Sequence, residues 1–190
     1  ATASSTDNKN AADAEAMGIY AYSEYYGDVA VTLNDASVDA TATATATGAA
    51  DGLEADAWAD SYGIRAEGYE SETMVSLTDS SVTSTATATA PDDSYADAKG
   101  IYAYSEYMDS SVTLDNSSVA ATATATSSGT GADVGSRANA DAYGIYAYAY
   151  DLDTTVTLDN ASTATATATA TANEKDDGLA SADAYGIYAS

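Results

Sequence analysis

Thirty acidic side chains face five basic ones in this 190-residue chain, and it holds no Cys and no His. Thiolate and imidazole nucleophile–base pairs are therefore absent. What remains is carboxylate chemistry, because two suitably spaced acids are enough to cleave a glycosidic bond. Most of the acids fall in turns and return with a repeat, whereas an active site is a single exception. Arg65 among Asp60, Glu67 and Glu70 is the one place that breaks the pattern. The expectation there is a solvated ion-pair cluster, the usual fate of surface charge, so the chain reads as a non-enzyme with no catalytic residues.

The same acids raise the question of a metal. Asp35, Asp79, Asp115 and Asp159 each follow a Val-x-Leu phrase and are read as equivalent turn positions. Stacked about 4.8 Å apart in adjacent coils, they would either repel in solvent or share structural calcium through oxygen ligands. Neither the EF-hand spacing nor the Gly-rich nonapeptide occurs, and no other cofactor is expected. Asn116-Ser117-Ser118 and Asn160-Ala161-Ser162 match the N-glycosylation triplet at the same turn of successive units. Asn116 and Asn160 are thus candidate acceptors, in a source that glycosylates.

These positions are placed by an internal repeat. Gly-Ile opens a phrase at Gly18, Gly63, Gly100, Gly144 and Gly186, at spacings of 45, 37, 44 and 42 residues. A second phrase, Val-x-Leu plus two turn residues, begins at Val31, Val75, Val112 and Val156. A third alternates Thr and Ala over 41–47, 83–89, 122–126 and 163–171. All three alternate with period two, the strand signal, and none carries a 3.6-residue apolar stripe. Segments between the Thr/Ala run and the next Gly-Ile hold the length changes and read as variable loops.

Like phrases at a fixed period predict stacking of like on like. The expected fold is all-β: a parallel β-helix (β-solenoid) of ~42-residue repeats with three strands per coil, filling 1–190 as one domain of about 4.5 units. An antiparallel β-sandwich of long hairpins is the alternative. Alternation then assigns faces. Ile and Ala of the first phrase, Val29, Val31 and Leu33 of the second, and Ala of the third point inward, giving a thin, flat cross-section. Tyr20, Tyr22, Tyr102, Tyr104, Tyr146, Tyr148 and Tyr188 line up outside as a self-assembly face, with surface glycans as another partner. Thr41, Thr43, Thr45, Thr47, Thr85, Thr87, Thr89, Thr122, Thr124, Thr126, Thr165, Thr167 and Thr169 form a flat outer Thr face.

Gly-Ile-Tyr-Ala-Tyr-Ser, Val-Thr-Leu-Asp-Asn and Ser-Val-x-Ala-Thr-Ala-Thr together resemble the β-helical passenger repeats of bacterial autotransporters and related adhesins. That resemblance implies a right-handed parallel β-helix displayed at the cell surface. The chain departs from it in two ways: no β-barrel translocator follows, and Arg65 and Glu67 replace a Tyr pair in the second unit, which is expected to interrupt the Tyr ladder. The Thr-x-Thr-x-Thr face resembles that of ice-binding solenoids, which makes an ice-binding (antifreeze) protein the second functional reading.

A formal net charge of −25 argues against nucleic acid and against anionic membrane surfaces. No apolar run approaches the ~18 residues a spanning helix needs. With 45% apolar residues and 16 Tyr the chain is expected to fold rather than remain disordered. The last phrase has no Val-x-Leu after it, and neither end shows a polar cap. Open coil edges invite either further repeats or head-to-tail stacking of copies. The leading expectation is a non-enzymatic, extracellular structural protein: a surface filament or adhesin stalk whose partner is itself. Its extracellular location rests on composition.

Overall fold

The computed structural model describes residues 1–5, 11–47, 55–129, 135–173 and 178–190. The chain enters on β1 (Thr2–Ser5). The first coil is β2 (Ala12–Tyr25), β3 (Val29–Asn34) and β4 (Ser37–Ala46). The second is β5 (Ala57–Glu70), β6 (Thr73–Thr78) and β7 (Ser81–Ala90). The third is β8 (Ser94–Ser105), β9 (Ser110–Asp115) and β10 (Ser118–Ser127). The fourth is β11 (Arg137–Ala149), β12 (Thr154–Asp159) and β13 (Thr163–Ala172), and β14 (Leu179–Ala189) opens a fifth.

Each phrase builds its own sheet. The Gly-Ile sheet runs β14-β11-β8-β5-β2, the Val-x-Leu sheet β12-β9-β6-β3 and the Thr/Ala sheet β1-β4-β7-β10-β13. Every pairing among the described residues is parallel, so the fold is a three-stranded-coil parallel β-solenoid and not an antiparallel sandwich. Register is like on like: Ile64 pairs with Ile19 and Ile101, and Val112 with Val75 and Val156. A slip of one residue would turn every inward side chain out, so the apolar alternation fixes this register.

The interior has two parts. One is almost pure alanine, where the Ala of the Thr/Ala sheet meet Ala12, Ala57, Ala59, Ala98 and Ala140 of the Gly-Ile sheet. The other gathers Ile64, Ile101, Ile145, Val75, Val112, Leu77, Leu114, Val82 and Val119. The cross-section is therefore thin at the alanine end only and thicker where three sheets meet larger side chains. Each fully buried Ile or Leu contributes about 1.5–3 kcal/mol, against under ~1 for an Ala methyl. Apolar stabilisation is thus concentrated at the thick end.

The glycine of Gly-Ile is the joint between the two parts. Before it Ala57, Ala59 and Ser61 point in; Gly63 and Ile64 are both buried, and the alternation resumes one step out of phase. A Cβ on Gly63 would lie 2.6 Å from the carbonyl oxygen of Gly100 in the next coil, and nearer still to Val82 Cγ1. Only glycine lets the wall approach the neighbouring strand this closely.

Candidate functional site

The outer face of the Gly-Ile sheet carries most of the ring-bearing side chains, together with Arg65, Lys99 and a row of acids, as columns along the stack. Tyr102, Tyr146 and Tyr188 stack with ring centroids 5.3 and 4.8 Å apart, and Tyr104 stacks on Tyr148 at 5.7 Å. Tyr20 and Tyr22 lie on the same face, about half exposed, but one coil removed from the others. Tyr143 and Tyr185 form a further stack at 5.1 Å, in a column the Gly-Ile-Tyr phrase does not include. Ring planes are within 16° of parallel in these stacks, so the faces cover one another and a partner beside the stack meets ring edges.

Arg65 does not leave the gap expected of it. Its guanidinium lies 5.6 Å from the Tyr20 ring centroid and 5.9 Å from that of Tyr102, bridging the column as a cation between two rings. Lys99 does the same one column away, between Tyr62 at 5.1 Å and Tyr143 at 5.5 Å, with its ammonium also on Asp97. Of the acids grouped around Arg65 in the sequence, only Glu67 holds it, through Nε at 3.0 Å and Nη2 at 2.9 Å. Glu15 of the preceding coil is a second partner at 3.6 Å, brought there by a strand pairing that linear spacing conceals. Asp60 instead belongs to a column running Glu15, Asp60, Asp97, Asp141, Asp183, and Glu70 ends β5 beside Tyr25. Burial, then the neighbouring Asp97, raises the pKa of both Asp60 and Asp141.

The turn acids need a correction. Asn34, Thr78, Asp115 and Asp159 stack in register at the strand ends. Asp35, Asp79, Asn116 and Asn160 occupy the next position, each at φ of 48–49°. Asp35 and Asp79 are therefore one step out from Asp115 and Asp159, and the four do not form one column. Asn side chains bridge the steps instead: Asn116 Nδ2 donates to Asp79 Oδ1 and Asn160 Nδ2 to Asp115 Oδ1, both at 2.6 Å. Both candidate glycosylation amides are thus engaged with carboxylates. Among the described residues no three carboxylates converge as a metal site.

A serine ladder, not read from the sequence, closes the same turn. Ser117 Oγ accepts the Ser80 N–H at 3.0 Å and donates to the Asp115 carbonyl at 2.8 Å. Ser80 Oγ accepts from Ala36 and Ser162 Oγ from Ser117 in the same way. The signal was a Ser two residues after the Asp or Thr that ends the Val-x-Leu strand, obscured in the fourth coil by the extra residue Ala161.

The Thr/Ala sheet presents the opposite character. Thr41, Thr85, Thr122 and Thr167 form one outer column; Thr43, Thr87, Thr124 and Thr169 a second; Thr45, Thr89, Thr126 and Thr171 a third. Thr2 of β1 extends the second column and Ser4 the third. Thr165 lies outside them, in register with Ala120, and Thr47 follows the end of β4. Asp39 is the one charged outward side chain on the described strands of this sheet. Columns recur about every 6.7 Å and rungs about every 4.8 Å.

Compared with protein-family models, with curated proteins and with solved structures, the chain gives no match. Its function has to be argued from these faces and edges.

Proposed function

We propose that the chain is a non-enzymatic structural protein of the cell surface, a filament or adhesin stalk built by continued stacking of coils. The observation carrying this is a like-on-like register that runs through all three sheets to edges with no partner strand among the described residues. Ile187 of β14 is 44% exposed there. The phrase Tyr185-Gly186-Ile187-Tyr188-Ala189 has the pattern of Met17-Gly18-Ile19-Tyr20-Ala21 on β2 at the opposite edge. Further repeats or a second copy can supply the next coil, and both produce the same fibre. Extracellular placement is inferred from the acidic composition, with its net charge of −25. Cryo-electron microscopy of the 190-residue chain, with and without millimolar calcium, tests self-stacking. Filaments with an axial layer near 4.8 Å are expected; discrete monomers at every concentration and calcium level would overturn it.

A second reading is ice binding, favoured by the three regular Thr columns and the near absence of charge on that face of a highly acidic protein. Thermal hysteresis measures it, and Thr124→Lys at the centre of the grid should abolish the effect. Absence of hysteresis in the parent chain would remove this reading.

A further inference from the structure

A chain without Cys has no disulfide with which to fasten a fibre. Its Gly-Ile sheet places another oxidisable group on itself, coil after coil. Tyr102 stacks on Tyr146 and Tyr104 on Tyr148 between the third and fourth coils. Tyr146 stacks on Tyr188 and Tyr143 on Tyr185 between the fourth and fifth. Each pair is held by strand register, with centroids 4.8 to 5.7 Å apart and no charged group between the rings. The same columns differ in earlier coils, because Arg65 separates Tyr20 from Tyr102 and Lys99 separates Tyr62 from Tyr143. Between the second and third coils Tyr62 meets Tyr102 and Tyr69 meets Tyr107 edge to face, at 5.9 and 5.3 Å, rather than stacked.

We propose that this face is an oxidative cross-linking site, where peroxide acting through a heme peroxidase joins stacked tyrosines of adjacent coils as dityrosine. Each phenol gives up one electron and one proton to become a phenoxyl radical. The two radicals couple through ring carbons ortho to the oxygens, and the ring hydrogens at those carbons move to oxygen and restore both phenols. Net, one C–C bond forms, two hydrogen atoms leave, and one hydrogen peroxide becomes two waters. Burial, then Asp141 and Asp97, pushes Tyr143 up to about 12, so it enters as the neutral phenol and loses proton and electron together. Coupling requires the rings of a stacked pair to turn about their Cβ–Cγ bonds until two ortho carbons meet, a local side-chain motion on the outward face of the sheet. The bond ties together residues roughly one repeat apart in sequence, which restricts the unfolded chain and fastens one coil to the next.

The inference uses only the register within one chain and is independent of whether copies form filaments. The test treats dilute native protein with hydrogen peroxide and a heme peroxidase, then reads dityrosine fluorescence and maps linked peptides by mass spectrometry. Links 102–146, 104–148, 146–188 and 143–185 are expected within single chains, together with a higher urea midpoint. Chain unfolded in urea before oxidation should lose this selectivity. Tyr146→Phe should delete the 102–146 and 146–188 links and leave the other two. Arg65→Tyr should add links from residue 65 to Tyr20 and Tyr102. Links centred on the unstacked, exposed Tyr26 and Tyr150, or a map unaltered by Tyr146→Phe, would overturn the proposal.

Discussion

Gly63→Ala tests the joint on which the cross-section depends. The new methyl carbon would stand 2.6 Å from the Gly100 carbonyl oxygen, with Val82 Cγ1 nearer still. Val82 presents only side-chain methyls, whereas the carbonyl belongs to the next coil's ladder and cannot retreat without loss of strand pairing. Overpacking alone costs about 1–3 kcal/mol, and disturbing a buried backbone hydrogen bond adds about 1–3 kcal/mol. The expected loss is therefore about 2–6 kcal/mol. Gly100→Ala, which meets Val119 and the Gly144 carbonyl in the same way, should match it. Gly27 is the control, since its Cβ would find nothing closer than 3.5 Å. Gly27→Ala should be neutral or stabilising by up to about 1 kcal/mol through the unfolded chain. Urea unfolding followed by circular dichroism gives the three midpoints. The Gly63→Ala Val82→Ala double variant separates the two contacts, because the backbone contact predicts no recovery on removing the valine methyls. If Gly63→Ala unfolds with Gly27→Ala, or the double variant is rescued, the account of the joint is wrong.

Three further outcomes are expected. Ser117→Ala leaves the Ser80 N–H without its acceptor at a position 3% exposed, at a cost of about 1–3 kcal/mol in the same urea assay; an unchanged midpoint would dismiss the serine ladder as decoration. Arg65→Ala removes the cation between Tyr20 and Tyr102 and the Glu67 pair, costing about 1–2 kcal/mol, whereas Arg65→Lys should recover only part because it cannot reproduce the flat stacked ion. For pH, Asp60 and Asp141 have folded pKa values raised above 3.8 by burial and by Asp97. The folded state then binds protons more readily than the unfolded one, so their penalty is full at neutral pH and relieved as pH falls through the raised values toward 3.8. The contribution of these two acids to the melting temperature should rise as pH falls from 7 toward 3.8, and Asp60→Asn with Asp141→Asn should remove it; a double variant with the parent's pH slope would contradict the sign.

Much of the architecture was legible because the repeat writes each sheet as its own phrase. Val-x-Leu, Thr-Ala and Gly-Ile-Tyr-Ala became separate parallel sheets with the expected inward residues. What stayed hidden came from residues that act across coils. Ala57-Trp58-Ala59-Asp60-Ser61 and its counterparts read as part of a variable segment, since Ala is a poor strand former and the flanking lengths differ. In the fold they are half of each long strand and supply one wall of the alanine interior. The Asp positions were misaligned because Asn-Asp and Asp-Asn look interchangeable, whereas the left-handed φ fixes which of the two occupies the turn. Arg65 read as an interruption because the sequence shows which side chain replaces tyrosine, not that a guanidinium can lie between the rings above and below it.

That last case shows how the fold separates stability from function. Most inward positions keep Ala, Ile, Val or Leu from coil to coil, because each must fit its copies about 4.8 Å above and below; the Val29, Thr73, Ser110, Thr154 column is an exception. Outward positions meet solvent and vary within a column: Arg65 joins tyrosines in the Tyr20, Tyr102, Tyr146, Tyr188 series, Glu67 in that of Tyr22, Tyr104 and Tyr148, and Lys99 in that of Tyr62, Tyr143 and Tyr185. The Thr/Ala sheet nevertheless keeps its three Thr columns outside while the Gly-Ile sheet varies. Inward fitting does not demand that regularity, since Ala120 takes an outward position in β10 without disturbing the pairing. Thr is a favoured polar strand residue and Thr–Thr pairs across strands stabilise a sheet, so the columns have a sufficient cause within the chain, and only a measured effect of Thr124→Lys on thermal hysteresis would require a periodic surface lying against that face.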